Sequence, residues 1–171
     1  MKNKMLKTIF LSTVSILFIG CQAKKDEPIA IDKEQIKNEI QAIENKMAEM
    51  FNDRNVNASL YYDENAVSFS QNKPPINGRF EIEKSIKEDL AGFPKGYQIA
   101  FVVNEIFPSS DGIQVVEIGN YRVSDSTSTA LYTGNYIAVF EKINGKYLCI
   151  RDMSASDRRL DSNIVAETEK K

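Results

Sequence analysis

Residues 97–156 read YQIAFVVNEIFPSSDGIQVVEIGNYRVSDSTSTALYTGNYIAVFEKINGKYLCIRDMSAS. The stretch divides into four runs: Tyr97–Phe107, Ile113–Ser124, Thr129–Lys142 and Lys146–Ser156. Each is rich in β-branched and aromatic residues, and short polar turns separate them. Asn144-Gly145 between the last two is the strongest hairpin signal in the chain. The spacing predicts an antiparallel meander of four long strands. In the second strand Val115, Glu117, Gly119, Tyr121 and Val123 share one face; in the third, Gly134, Tyr136, Ala138 and Phe140 do. In the last, alternation sets Leu148, Ile150, Asp152 and Ser154 against Tyr147, Cys149, Arg151 and Met153. Both faces of the sheet carry apolar residues. One should meet helices and the other a second subunit, which predicts a homodimer.

Upstream lies the helical half. Asp32 suits an N-cap, with Gln35 three residues on as in a capping box and Ile31 and Ile36 at the staple positions. Ile36, Ile40, Ile43, Met47 and Met50/Phe51 then recur at helical spacing, with Lys33, Glu34, Lys37, Glu44 and Lys46 assigned to the polar side. This predicts a long helix ending near Asn52. Val56–Tyr62 fits a second, short helix, Asp63-Glu64-Asn65 a turn, and Ala66–Ser70 a short strand. Pro74-Pro75 and Asn77-Gly78 mark a bend. Ile82, Ile86 and Leu90 predict a third helix, closed by Gly92 and Pro94. The fold class is therefore α+β: a curved antiparallel sheet of four long strands plus a short one, covered by three helices that form a cone.

The chain opens with a basic segment, Met1–Lys7, and an apolar run, Thr8–Ile19. That run is shorter than the roughly 20 residues needed to span a bilayer, so it reads as a signal peptide. Phe18-Ile19-Gly20-Cys21 resembles a bacterial lipobox, which implies cleavage before Cys21 and lipid on its thiol. Two or more acyl chains would anchor the protein stably in a membrane. The expected organisation is a signal peptide over residues 1–20, a lipidated cysteine and tether over 21–32, a domain over 33–156 and a polar tail over 157–171. The expected location is extracytoplasmic, on a bacterial cell-envelope membrane, with the outer membrane or the cell surface as destination. Lys25-Asp26-Glu27 resembles the charged export signals of some Bacteroidetes-type surface lipoproteins and reads equally as a solvated linker.

Composition narrows the chemistry. The 171 residues hold 22 Lys+Arg and 24 Asp+Glu, a formal charge of −2. The charges of residues 1–20 are all lysines, so the remainder is more acidic still, and nucleic acid is not an expected partner. There is no histidine, which removes the commonest general base and the commonest transition-metal ligand. No phosphate-binding glycine loop and no cysteine pair appears, so neither a cofactor nor a metal is expected. Asp63 and Glu64 could hold a hard cation, though such a turn is ordinarily only solvated. Cys149, the one cysteine of the expected domain, sits mid-strand and reads as a small buried hydrophobe.

The order helix, short helix, strand, helix, meander resembles the nuclear transport factor 2-like superfamily, also described as SnoaL-like or cystatin-like cones. The likeness covers Ile36–Ala155. It is carried by Met47–Asp53 with Leu60–Val67, by Gly78-Arg79 opening a helix with Ile82, by Gly119-x-Tyr121 and Gly134-x-Tyr136, and by Asn144–Asp152. The resemblance implies a conical pocket between sheet and helices. Some members are isomerases, cyclases or dehydratases, and many are binding or scaffold modules. The isomerases place a carboxylate on the first strand, where this chain has Ser68 and Ser70; the dehydratase Asp–His pair is impossible without histidine.

Asp152 is the foremost pocket candidate. A carboxylate in an apolar cone would have a raised pKa and could act as a base. The structural alternative, an ion pair with Arg122 or Arg79, is preferred. Asp53 could contact a ligand or cap the next helix. Tyr61, Tyr121 and Tyr136 could hydrogen-bond a ligand or simply pack. Arg79 could bind an anion at a helix N-terminus or brace the bend. The leading functional expectation is a lipid-anchored pocket or interaction module without catalysis, taking a small apolar ligand. The alternatives are an enzyme using Asp152 with a tyrosine, and a structural envelope dimer.

Overall fold

A computed structural model describes residues 31–158. The signal peptide, Cys21, nearly all of the tether and most of the polar tail lie outside the described residues. The elements are α1 (Lys33–Asn52), a single 3-10 turn (Ala58–Leu60), β1 (Tyr62–Ser70), β2 (Ile76–Asn77), α2 (Arg79–Ala91), β3 (Gln98–Pro108), β4 (Gln114–Ser124), β5 (Ala130–Ile143) and β6 (Lys146–Ser156). Among the described residues no helix is long and apolar enough to cross a membrane.

The six strands form one mixed sheet in the order β2-β1-β6-β5-β4-β3. β3 to β6 are the antiparallel meander, and the Asn144-Gly145 turn has the two positive φ angles (51° and 80°) that a tight hairpin requires. The sheet differs from expectation at its other end. β1 runs parallel to β6, and β2, read as a bend, pairs antiparallel with β1 through Val67–Asn77 and Ser68–Ile76. Asp63-Glu64-Asn65 is not a turn between elements but an irregular part of β1. The Cys149 amide donates to the Tyr61 carbonyl at 2.8 Å, so pairing with β6 begins before the acidic triplet and overrides its turn propensity.

Two α-helices and a single turn replace the three helices expected. Val56–Tyr62 cannot continue helically because Tyr61 and Tyr62 are both drawn into the core, each 4% exposed. Only Ala58–Leu60 coils, capped by the Asn57 side chain rather than by Asp53.

α1 begins where the sequence places it. The Asp32 carboxylate accepts from the Gln35 amide at 2.9 Å. The capping box is only half made, because the Gln35 side chain turns to Glu39 instead. Its buried stripe is Ile36, Ile40, Glu44, Met47 and Met50. α1 also protects the sheet edge. The outward backbone groups of β3 are taken up by its side chains: Asn52 bonds both groups of Ile99 (2.8 and 3.0 Å), and Gln41 accepts from Val103 (2.9 Å) and donates to Phe101 (3.1 Å). An edge strand left with those groups free would be a template for another chain.

The core lies between the concave side of the sheet and α1, around Ile40, Met47, Ile82, Ile106, Phe140 and Cys149. Burying side chains of this size contributes about 1.5–3 kcal/mol each. Among the described residues no layer covers the convex side.

Candidate functional site

Two single-residue insertions decide what faces the core. In β3, Val103 pairs with Gly119 but Glu105 pairs with Ile118, leaving Asn104 as an extra residue. In β6, Cys149 pairs with Phe140 but Arg151 pairs with Val139, leaving Ile150 as the extra residue. Such a bulge reverses side-chain parity beyond it. Tyr147 and Cys149 point inward before the bulge, and Asp152 and Ser154 point inward after it. The expected grouping of Asp152 with Leu148 and Ile150 is therefore wrong, although Asp152 does face the cone. Without the bulge it would lie on the convex side.

The concave surface encloses a cavity of about 350 Å³. It sits within the usual range for small-molecule sites. Glu44, Met47 and Phe51 of α1 line one side, Ile86 and Leu90 of α2 another, and Phe101, Tyr121, Tyr136 and Asp152 the sheet. Two glycines shape it. Gly119 pairs with Tyr136, and Gly134 with Tyr121. A β-carbon at Gly119 would overlap the Tyr136 ring; one at Gly134 would overlap the Tyr121 ring and the Ala155 carbonyl. The two Gly-x-Tyr motifs are thus reciprocal: each glycine vacates the space into which the other strand's tyrosine folds. Phe101 then packs edge-on to Tyr136, with ring centroids 5.7 Å apart.

The polar groups gather at the buried end. Tyr61 donates to Glu44 Oε1 at 2.6 Å, Tyr136 to Glu117 Oε1 at 2.6 Å, and Tyr62 to Asp152 Oδ2 at 2.8 Å. Glu44 and Glu117 are both essentially inaccessible. Burial raises the Glu44 carboxyl well above its ordinary range, and repulsion from Glu117 raises it further. Burial also pushes Glu117 up to about 7, against the lowering effect of hydrogen bonds from Tyr136 and Glu44. Glu117 Oε2 has no hydrogen-bond partner, and a proton held on the neighbouring Glu44 carboxyl would give it one. The two acids behave as a pair holding a proton.

Asp152 is separate from that pair. Burial raises its pKa, and the Ser68 and Tyr62 hydroxyls offset part of the shift. Its Oδ1 is buried and makes no hydrogen bond, although the Ser68 hydroxyl lies near enough to the carboxyl to lower its pKa. Among the described residues no arginine reaches it. Arg122 stands on the convex parity and donates to the Ser128 carbonyl, while Arg79 donates to the Tyr62 carbonyl at 3.4 Å. The preferred ion pair is therefore absent, because the bulge turns Asp152 away from Arg122.

Of the residues singled out from sequence, Tyr61, Tyr121, Tyr136 and Asp152 all line the cavity. Asp53 does not: it is exposed at the end of α1, where its amide closes the last turn onto the Glu49 carbonyl. Cys149 is buried, as read. Asp63 caps its own turn by accepting from the Asn65 amide. Among the described residues no three acidic or cysteine side chains are placed to hold one metal ion. Glu44, Glu117 and Tyr62 were missed. Glu44 had been put on the polar side of α1, yet it lies four residues after Ile40 and three before Met47, on the buried stripe. Glu117 shares parity with Val115 and Val123. An acid at an apolar position was the available signal in both cases.

No family model matches the chain, and no curated protein matches it. Solved structures do. A domain of unknown function with a cystatin-like fold from Nostoc punctiforme is 13% identical with a TM-score of 0.61, over 80% of this chain and 86% of that one. An NTF-2 like protein of unknown function from Shewanella oneidensis is 18% identical with a TM-score of 0.55, over 68% and 96%. A ketosteroid isomerase-like protein from Erwinia carotovora atroseptica is 13% identical with a TM-score of 0.52, over 75% and 100%. The fold is the nuclear transport factor 2-like cone that the resemblance implied. At these identities the likeness extends to the fold alone.

Proposed function

We propose that this chain is a small-molecule-binding module, tethered to a membrane of the bacterial envelope by lipid on Cys21. The observation that carries the reading is an aromatic-walled cavity of about 350 Å³ with the Asp152 carboxyl, one oxygen of it buried and unpartnered, in its wall. A buried polar atom without a partner is costly unless a ligand or water completes it. The open cavity also favours this reading over a purely structural dimer, whose cone would have no need of empty volume. The inward residues of β1 are Tyr62, Ala66, Ser68 and Ser70, with no carboxylate where the isomerase resemblance would want a base. That supports binding without turnover.

A second reading has one specific observation behind it. Asp152 combines a raised pKa with a tyrosine donor in an apolar surround, which is what a general base needs. Native mass spectrometry of the gently purified protein tests the first reading; a bound small molecule that Asp152→Asn loses supports it. The second requires in addition that the recovered compound be chemically altered by wild type and left intact by the variant. Cys21→Ser tests the tether: the variant should leave the membrane fraction, and one that stays there by the same route refutes lipidation at that residue.

A further inference from the structure

The cavity's polar groups have one sign. Glu44 and Asp152 are in its buried wall and Glu117 stands behind them, while no lysine or arginine lines it. Asp89 at the rim is also acidic, though Lys73 holds it at 2.8 Å. The remaining polar groups are hydroxyls: Tyr61, Tyr62 and Tyr136, each committed to a carboxyl as donor, and Ser68, Ser70, Ser154, Tyr121 and Tyr132. The site therefore offers neutral hydroxyls, acidic groups and ring faces, and no positive charge from the described residues.

Resting on the pocket reading, we propose that the ligand is an organic cation: an apolar or aromatic body carrying an amine that pairs with the Asp152 carboxyl in the cavity wall. Three features support a cation of this kind over other occupants. A carboxylate or phosphate ligand would meet three acids and no counter-charge, which burial makes prohibitive. A bare metal ion would need its ligands gathered at one point, and the described acids are not so placed. A neutral apolar molecule would offer the Asp152 carboxyl no donor, whereas an ammonium gives it a charge-assisted bond. The rings of Phe51, Phe101, Tyr121 and Tyr136 present faces that attract a cation and enclose its apolar body.

Binding also moves a proton. Asp152 faces Tyr62 and Ser68 of β1, Cys149 lies on its own strand, and Glu44 and Glu117 approach from α1 and β4. All are neutral or acidic, so an arriving ammonium is the only positive charge near them. It favours the ionised form of Asp152 and of the Glu44–Glu117 pair, and protons leave to bulk water.

The test uses three probes of similar size on the purified full chain: phenethylammonium, 2-phenylethanol and phenylacetate, by titration calorimetry at pH 6.5 in two buffers of different ionisation enthalpy. The proposal expects phenethylammonium to bind at least about tenfold more tightly than 2-phenylethanol, since a charge-assisted bond in a desolvated site is worth that much. Its heat should differ between the buffers by an amount that reports proton release. Asp152→Asn should erase the preference, and Glu44→Gln should reduce the proton release. If 2-phenylethanol or phenylacetate binds as tightly as the amine, the cation inference is overturned and the pocket stands. If none of the three binds, both fall.

Discussion

On the concave side of the sheet the groups that interrupt the apolar surface are Glu117, Asp152, Tyr121 and Tyr136, all wholly or partly buried. On the convex side Val102, Val116, Ile137 and Met153 stand 37–57% exposed, with Ile137 directly opposite Met153. Both sides are built from the same strands, and alternation alone calls both of them apolar. The concave side spends stability to hold acids out of water, and the convex side leaves oil in contact with it. We propose that the concave arrangement serves a ligand, and that the exposed apolar face of the convex side meets another copy of the chain.

The sharpest way to break the concave side is to fill the spaces its glycines leave. Gly134→Ala should cost about 3 kcal/mol or more, because its new methyl meets the Ala155 carbonyl as well as a tyrosine ring, and backbone cannot swing away. Gly119→Ala should cost less, about 1–3 kcal/mol, since only the Tyr136 ring must yield. Urea unfolding of both variants checks the order. A Gly134→Ala protein as stable as wild type would mean the reciprocal packing is absent.

Removing a donor is the next largest effect. Tyr136→Phe takes from Glu117 its one hydroxyl partner and should cost about 1–3 kcal/mol at pH 8. At pH 5, where Glu117 holds a proton, the cost should shrink. An equal loss at both values would argue that the tyrosine acts only by packing.

Asp152→Asn should leave the unfolding midpoint unchanged or raise it, because no buried arginine is stranded and an amide is easier to bury than a carboxylate. A loss of about 3–5 kcal/mol would reveal a positive partner. The same variant should lose ligand binding, which separates site from scaffold.

The smallest expected effect on stability is on the convex side. Ile137→Lys should stay within about 0.5 kcal/mol of wild type as a monomer, being half-exposed already. It should nonetheless abolish the micromolar self-association that sedimentation of wild type is expected to show. A monomeric wild type would end the dimer proposal.

How much of this could be read from the chain depends on what a one-residue insertion does to a pattern. The meander and the Asn144-Gly145 hairpin were legible from long β-branched and aromatic runs parted by polar turns, and α1 from a helical stripe that runs unbroken from Ile36 to Met50. The bulges at Asn104 and Ile150 were not, since they reverse parity without altering composition. Asp152 was reached by alternation that in fact fails at Ile150. β2 is two residues long, and the parallel pairing of β1 with β6 leaves no local trace. Tyr61, Tyr121 and Tyr136 were visible as aromatic residues at inward positions. Glu44 was hidden by its own charge: the helical stripe includes it, and only the habit of assigning acids to water removed it.

The central claim is that buried acids with raised pKa values line the concave side, and the pH dependence of folding tests it most directly. Glu44, Glu117 and Asp152 all hold protons more tightly folded than unfolded. Their contribution is complete below the unfolded carboxylate range and is lost as pH rises through the folded values, which for Glu117 is about 7. The carboxylates whose folded pKa is lowered, Glu83, Asp111 and Asp125, contribute stability that is complete above the ordinary carboxylate range and is lost only as pH falls through their folded values, so they add no slope in this window. Unfolding free energy measured from pH 5 to pH 8 should therefore fall steadily, and the fall should be much smaller in Glu44→Gln. A wild-type profile that is flat or rises over that window would contradict the account.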